Sequence, residues 1–351
     1  MIYLDYAAHT PVVPAVLEEF CRIEANFCAS PMSSHFAGQS AKKEFERITK
    51  TIKNLLNADD AELNFTSGAT EANRLAIMNL VQNSRHKGRH IITTCLEHPS
   101  VTGLLADLKN QGYEVELADI LVNGTIDLEH LTLLLRDDTV LLTLPWIDSE
   151  LGAIQPIKAV TNLLKNYANC CFHVDAAQAV GKIPINFSGI DSLSFSPHKF
   201  YGICGIGGLL TAKMLNGHKG TPPLALAASA CKALELAKYQ KIEWRNIVIE
   251  ALKDEFEINS PLEGSQYILN LSTPGIKGTE FQAALSRRGI YVSVKSACSA
   301  IGTPSRPVLA VSRDKKRAIN SWRVSFSHLT TKEEIEKFVE VCKEIKREKR
   351  V

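Results

Sequence analysis

This 351-residue chain lacks an excess of either charge: 40 Lys and Arg against 38 Asp and Glu leave +2. That balance argues against nucleic acid as a main partner, since binding to a polyanion scales with the cations set against it. Long apolar runs are missing as well. None approaches the roughly 20 residues that span a bilayer, so no membrane contact is expected. The opening Met1-Ile2-Tyr3-Leu4-Asp5-Tyr6 has no basic region followed by an apolar core, so no secretory signal is expected. The nine cysteines are odd in number and lack the spacing of a disulfide framework. A reducing, cytoplasmic setting with mostly free thiols is the expectation. There is no internal repeat and no low-complexity linker. What remains is an ordinary globular composition, 45% hydrophobic and 22% charged, long enough for two domains.

Strand and helix patterns alternate through the first two-thirds. Apolar strand segments are predicted at 62–66, 90–94, 114–120, 140–146, 170–175, 192–196 and 207–211. Amphipathic helices are predicted at 70–82, 101–111, 128–135 and 157–167; in the last, Ile157, Val160, Leu163, Leu164 and Tyr167 follow the 3.6-residue period. Such alternation implies an α/β domain, a mostly parallel seven-stranded sheet between helices. After Thr221-Pro222-Pro223 the texture changes. A long helical stretch is predicted at 224–256, strands at 268–272 and 290–294, a helix at 281–288, and a last helix opened by a capping box of Thr330 and Glu333. Its apolar face would be Ile335, Phe338, Val339, Cys342 and Ile345, and its basic end a solvated terminus. The expected division is a large domain over 13–225 and a smaller α+β domain made of 1–12 and 226–351.

The chemistry centres on Lys199 in Ser194-Phe195-Ser196-Pro197-His198-Lys199-Phe200-Tyr201-Gly202. Asp175 precedes it by 24 residues, at the end of the run Cys170-Cys171-Phe172-His173-Val174-Asp175, with Gln178 following. An Asp ending a buried strand and a Lys beyond the next strand suit pyridoxal phosphate (PLP). The Lys amine forms a Schiff base with the aldehyde, and the Asp pairs with the pyridinium nitrogen to keep the ring an electron sink. Phe65-Thr66-Ser67-Gly68-Ala69-Thr70-Glu71 follows a strand and opens a helix. Small residues such as Ala69 let N–H groups approach a phosphate, and Thr70 adds a hydroxyl; an ordinary strand–turn–helix link has the same pattern. His98 follows the strand at 90–94, where ligands bind in α/β sheets, and could stack on a pyridine ring and move protons. Cys298 lies among small, turn-forming residues (Ser296 to Ser305), a candidate exposed nucleophile. The other cysteines mostly sit in apolar contexts and read as core residues. No metal site is expected: Cys170 and Cys171 are adjacent in a strand and face opposite ways. Arg323, in a strand-like stretch, offers a planar fork for a carboxylate.

Together these segments resemble the NifS/IscS-type cysteine desulfurases of the class V aminotransferases, nearly end to end. The shared motifs include Tyr3 to Ala8, Phe65–Glu71, Glu97-His98, His173 to Gln178, Ser194–Gly202, Ser296-Ala297-Cys298 and Arg323-Val324-Ser325. The resemblance implies PLP fold type I and a homodimer with sites at the subunit interface. Lys199 would hold PLP, Asp175 its ring nitrogen, Gln178 its phenolic oxygen, and His98 would stack on the ring. Ala69, Thr70, Ser196 and His198 would surround the phosphate. Arg323 would bind the carboxylate of L-cysteine. Cys298 would take the substrate sulfur as a persulfide for an acceptor protein of Fe–S cluster or thio-tRNA synthesis, and alanine would leave.

The chain departs from the family pattern in three places. Asp148-Ser149 stands where two asparagines are usual, and Ser149 can still donate a hydrogen bond over a shorter reach. Ala29-Ser30-Pro31 replaces Gly-Asn-Pro, leaving Ser30 at the position that can contact substrate. The segment before His218-Lys219-Gly220-Thr221 is short, and Thr221 takes the place of the threonine that binds the partner subunit's phosphate. Two alternatives stand beside a desulfurase: a selenocysteine lyase or other class V lyase or aminotransferase, and a degenerate homologue with a non-catalytic partner role.

Overall fold

The computed structural model describes residues 1–215, 220–237, 242–295 and 303–348. In chain order the elements are β1 (Ile2–Tyr3), α1 (Pro14–Asn26), α2 (Phe36–Leu55), β2 (Glu62–Thr66), α3 (Ala69–Ser84), β3 (His90–Thr93), α4 (Pro99–Asn110), β4 (Glu114–Leu117), α5 (Leu128–Leu134), β5 (Thr139–Pro145), α6 (Ile157–Leu164), β6 (Cys171–Asp175), β7 (Ser192–Phe195) and β8 (Gly207–Thr211). There follow α7 (Leu224–Leu236), α8 (Trp244–Leu252), β9 (Glu257–Ile258), β10 (Ile268–Ser272), α9 (Gly278–Arg287), β11 (Ile290–Tyr291), α10 (Arg306–Ser312), α11 (Lys315–Ile319), β12 (Ser321–Ser325) and α12 (Lys332–Glu348).

β3, β5 and β6 are buried at nearly every position, as strands covered on both faces must be. They form the centre of a seven-stranded sheet ordered β2-β8-β7-β6-β5-β3-β4. β4, β3, β5, β6 and β7 run parallel, while β8 is antiparallel to both its neighbours. In the parallel part the strands' carboxyl ends therefore converge on one edge, where Glu97, Asp175 and Ser196 emerge. The smaller unit has its own sheet, β12-β10-β9, and its own core around Trp322, Phe281 and Phe338.

The predicted helix at 224–256 is two helices. α7 is alanine-rich and packs on the core of the large sheet, whereas Val248 and Leu252 of α8 face the second core. One straight helix could not serve both. The division expected at 225/226 falls just inside α7, which stays with the larger core as far as Ala237. β4 stops at Leu117, short of the predicted 120, because Ile120 turns back to bridge Ile126. The capping box of α12 sits one residue later than expected. Thr331 N–H donates to Glu334 Oε2 at 3.0 Å, and Glu334 N–H to Thr331 Oγ1 at 3.3 Å. Lys346 is not a solvated end: it is buried, its Nζ 4.9 Å from the centre of the Phe256 ring. The eight described cysteines carry free thiols, but Cys21, Cys28 and Cys204 are exposed rather than core. Among the described residues no helix is long and apolar enough to cross a membrane.

Candidate active site

One cavity of about 360 Å³ opens at the carboxyl edge of the parallel strands, and it collects most of the chemistry-bearing residues. Lys199, Asp175, Gln178 and His98 line it, as do Ala69, Thr70, Ser196, His198, Ser149 and Arg323. Ser30 and Thr221 are not brought there within one chain; both line a second, more open depression beside Cys28 and Pro31. Cys298 lies outside the described residues.

Lys199 ends a short 3-10 turn, Pro197–Lys199. Its Nζ donates to the carbonyls of Ala7 at 2.8 Å and Ala8 at 2.7 Å. The chain then reverses through Tyr201, which holds φ at +68°. That region is costly for a bulky residue. The turn is pinned by Tyr201 N–H to Thr10 Oγ1 (2.7 Å) and by the hydroxyl pair Tyr201–Ser327 (2.7 Å). Gly202 must be glycine, since a Cβ there would lie 2.5 Å from Pro197 Cβ.

Asp175 is fixed at both oxygens. Asn73 Nδ2 donates to Oδ2 at 2.8 Å and Ala177 N–H to Oδ1 at 2.9 Å. Asn73 is fully buried on α3 and organises the floor of the site. Its Nδ2 also donates to Ser100 Oγ (3.0 Å), and its Oδ1 accepts from Ser194 and from His173 Nε2 (3.0 Å). His173 must therefore carry its proton on Nε2. Burial lowers it to about 4, so it is neutral, and Nδ1 accepts from the Ser192 hydroxyl at 2.8 Å. The same logic fixes His98. Ser100 N–H donates to His98 Nδ1 at 3.1 Å, and Ser100 Oγ, already accepting from Asn73, turns its proton to the same nitrogen at 2.9 Å. Burial holds His98 below its usual value, Asp175 partly offsetting this and Lys199 adding to it. The neutral ring thus carries its proton on Nε2. Asn73 was not among the residues expected at the site. Its signal was the spacing, three residues after Thr70, which puts both on one helix face.

One end of the cavity is built by the start of α3, whose first-turn N–H groups have no intrahelical acceptor and suit an anion. Glu71 Oε2 accepts from the N–H and hydroxyl of Ser67 at 2.7 and 2.8 Å and so steadies the turn. Gly207 packs against it so closely that a Cβ would sit 2.5 Å from the Gly68 carbonyl carbon. Ser196 Oγ pairs with His198 Nδ1 at 2.8 Å. The His198 ring stacks on His9, with centroids 5.4 Å apart. Burial, then Lys199 and His9, pushes His198 down to about 4. It is a neutral hydrogen-bonding group.

Arg323, on β12, is 2% exposed and already engaged. Nη1 donates to the Ser149 carbonyl at 2.8 Å, and Nη2 pairs with Asp5 Oδ1 at 2.8 Å. The expected fork is therefore partly held by the protein, while its buried Nε has no partner among the described residues. The turn that presents Ser149 shows how Asp148 replaces an asparagine. Its Oδ2 accepts from Glu150 N–H (3.1 Å) and from Leu151 N–H, as an amide oxygen would.

Glu97, beside His98, is buried, with Oε1 accepting from Thr143 Oγ1 at 2.6 Å and Oε2 without a partner among the described residues. Burial pushes it up to about 8, Thr143 restraining the rise and Asp175 adding to it. The unfolded chain releases this proton near 4.5. Between that value and about 8 the unfolded state binds fewer protons, so the group makes stability fall as pH rises. Glu97→Gln is expected to flatten the decline of Tm across that window relative to wild type. Parallel Tm–pH curves for the two proteins would refute it.

Pyridoxal phosphate fits this donor set: an amine, a fixed carboxylate, a neutral imidazole and a helix N-terminus line one cavity. The family model for class V aminotransferases matches residues 2–251. Cysteine desulfurase IscS of Neisseria gonorrhoeae is 36% identical over 371 residues, covering 97% of this chain and 91% of the relative. Among solved structures, a NifS-like protein is similar over 98% of both chains, with 29% identity and a TM-score of 0.89. SspA, in complex with cysteine, is 28% identical over 93% of this chain and 99% of its own, with a TM-score of 0.80. With an α/β architecture built as those proteins build it, the chain belongs to the class V aminotransferase family, among relatives named as IscS cysteine desulfurases.

Proposed function

We propose that the chain is a PLP-dependent cysteine desulfurase that converts L-cysteine to L-alanine and carries the sulfur as a persulfide on Cys298. The observation that carries this reading is the joining of Lys199, the Asn73-fixed Asp175, His98 and Arg323 on one cavity. When bound, PLP supplies the electron sink for bonds breaking at the amino acid. Lys199 would anchor it and move the proton at the substrate's α-carbon. Asp175 would pair with the ring nitrogen, and the α3 N-terminus with Thr70, Ser196 and His198 would hold the phosphate. His98, neutral with its proton on Nε2, has that proton to give at the ring face. Arg323 takes the substrate carboxylate with the donors that Ser149 and Asp5 leave over. The Cys298 thiol gains the sulfur and its proton passes to the product, so cysteine plus thiol gives alanine plus persulfide.

A homodimer is part of this reading, because Ser30 and Thr221 lie together away from the cavity and would serve a neighbouring site. So are a cytoplasmic setting, which keeps the thiols reduced, and a sulfur-acceptor protein of Fe–S cluster or thio-tRNA synthesis. The test is alanine formed from L-cysteine by PLP-loaded protein with a thiol reductant, beside Cys298→Ser. Wild type is expected to turn over, while the variant keeps PLP but loses the persulfide and turnover by roughly a hundredfold or more. A variant that forms persulfide at the wild-type rate moves the nucleophile to another cysteine. A loaded wild type inert toward L-cysteine refutes the reaction.

A further inference from the structure

We propose that Lys182 is a positioning residue, holding the Gln178 amide so that it offers an N–H to the phenolic oxygen of the cofactor. The proposal rests on the reading of the cavity as a PLP site and extends it to a residue that does not line it. Lys182 follows Gln178 by four residues in the turn after β6. Its Nζ donates to Gln178 Oε1 at 2.6 Å. Gln178 Nε2 donates one proton to the Ala7 carbonyl at 2.8 Å. Both ends of the amide are thereby assigned: the oxygen is turned to Lys182, and the group left for the cavity is the second N–H of Nε2. The 3-hydroxyl of PLP, ionised when bound, requires a donor at that position. The same Ala7 carbonyl accepts from Lys199 Nζ at 2.8 Å, so Lys182, Gln178, Ala7 and Lys199 form one connected chain.

A cation on the amide oxygen does more than choose the orientation. It polarises the amide and strengthens the N–H as a donor to an oxyanion. The arrangement is held against an opposing tendency. Burial, then the charges of Lys199 and Arg323, lowers the Lys182 ammonium to about 7. The unfolded lysine keeps its proton to about 10.5. At pH 7 and below, the native state therefore bears the cost of this charge, and removing it relieves the unloaded protein. A lysine kept only for packing would behave in the opposite way.

The experiment compares wild type, Lys182→Met and Lys182→Arg. It reads the dissociation constant for PLP, the position of the bound cofactor's absorbance band at neutral pH, and the Tm of the unloaded protein. Lys182→Met is expected to weaken PLP binding about tenfold, as the loss of a charge-assisted bond does. It should also move the band and leave the unloaded Tm equal to or above wild type. Lys182→Arg should recover most of the affinity and the band. Wild-type affinity and an unmoved band in Lys182→Met would overturn the proposal. A lowered unloaded Tm without recovery by arginine would also overturn it, in favour of packing. If the wild type binds no PLP, the reading of the cavity falls and this inference with it. If the wild type binds and only the variants disagree, the inference alone falls.

Discussion

Lys199→Ala is expected to remove the visible absorbance of bound cofactor and to cut alanine formation by roughly a thousandfold or more, the scale of losing a positioned acid–base group together with a covalent anchor. Among the described residues Lys199 is the one lysine lining the cavity, so none of them offers a neighbouring amine there. Lys182 does not line the cavity, and its amine is engaged by Gln178. The Ala8 carbonyl loses the Lys199 donor in the variant, while the Ala7 carbonyl keeps Gln178 Nε2, a cost of about 1–3 kcal/mol. Against a typical stability of about 5–15 kcal/mol the fold should survive, and circular dichroism with the unloaded Tm checks that it has. Turnover near the wild-type rate in a folded Lys199→Ala protein would end the PLP assignment.

Asp175→Asn is expected to lower kcat by roughly a hundred- to a thousandfold, the scale seen when a preorganised electrostatic group is removed. The substitution keeps shape and deletes charge, but it is not neutral here. Both carboxylate oxygens accept protons, from Asn73 Nδ2 and from Ala177 N–H. An amide can meet only one of these with its oxygen; its NH2 then faces a donor. Asn73 cannot turn over to relieve this, because its own oxygen is held by Ser194 and His173. The variant should therefore bind PLP more weakly and disturb His98, which is linked to Asp175 through Asn73 and Ser100. Steady-state alanine production and a cofactor titration measure the two effects separately. A variant matching wild type in both would show that Asp175 does not face the ring nitrogen.

Much of this was legible in the residues. The segments read as strands at 62–66 and 207–211 are strands with those bounds, and Lys199 and Asp175 meet on one cavity as the motif spacing implied. What escaped were residues whose role depends on a partner far along the chain. Asn73 looks like any helical amide until Asp175, 102 residues later, is placed against it. Asp5 and Arg323, 318 residues apart, form a pair that no local pattern shows. The split between α7 and α8 escaped for a related reason: periodicity reports that a face is apolar, not which core receives it. Ser30 and Thr221 share a surface away from Lys199, a relation that spacing along one chain does not define.

The first ten residues have a bearing on biosynthesis. β1 pairs with β11, Asp5 with Arg323, and the Ala7 and Ala8 carbonyls hold Lys199. A ribosome releases this segment before the strands of the large sheet, yet its partners on β11 and β12 emerge only after that sheet's last strand. The large sheet can be complete while the cavity still lacks one wall. Nascent chains stalled before residue 321 would carry every strand of the large sheet but lack Arg323, the part of the cavity lining that β12 supplies.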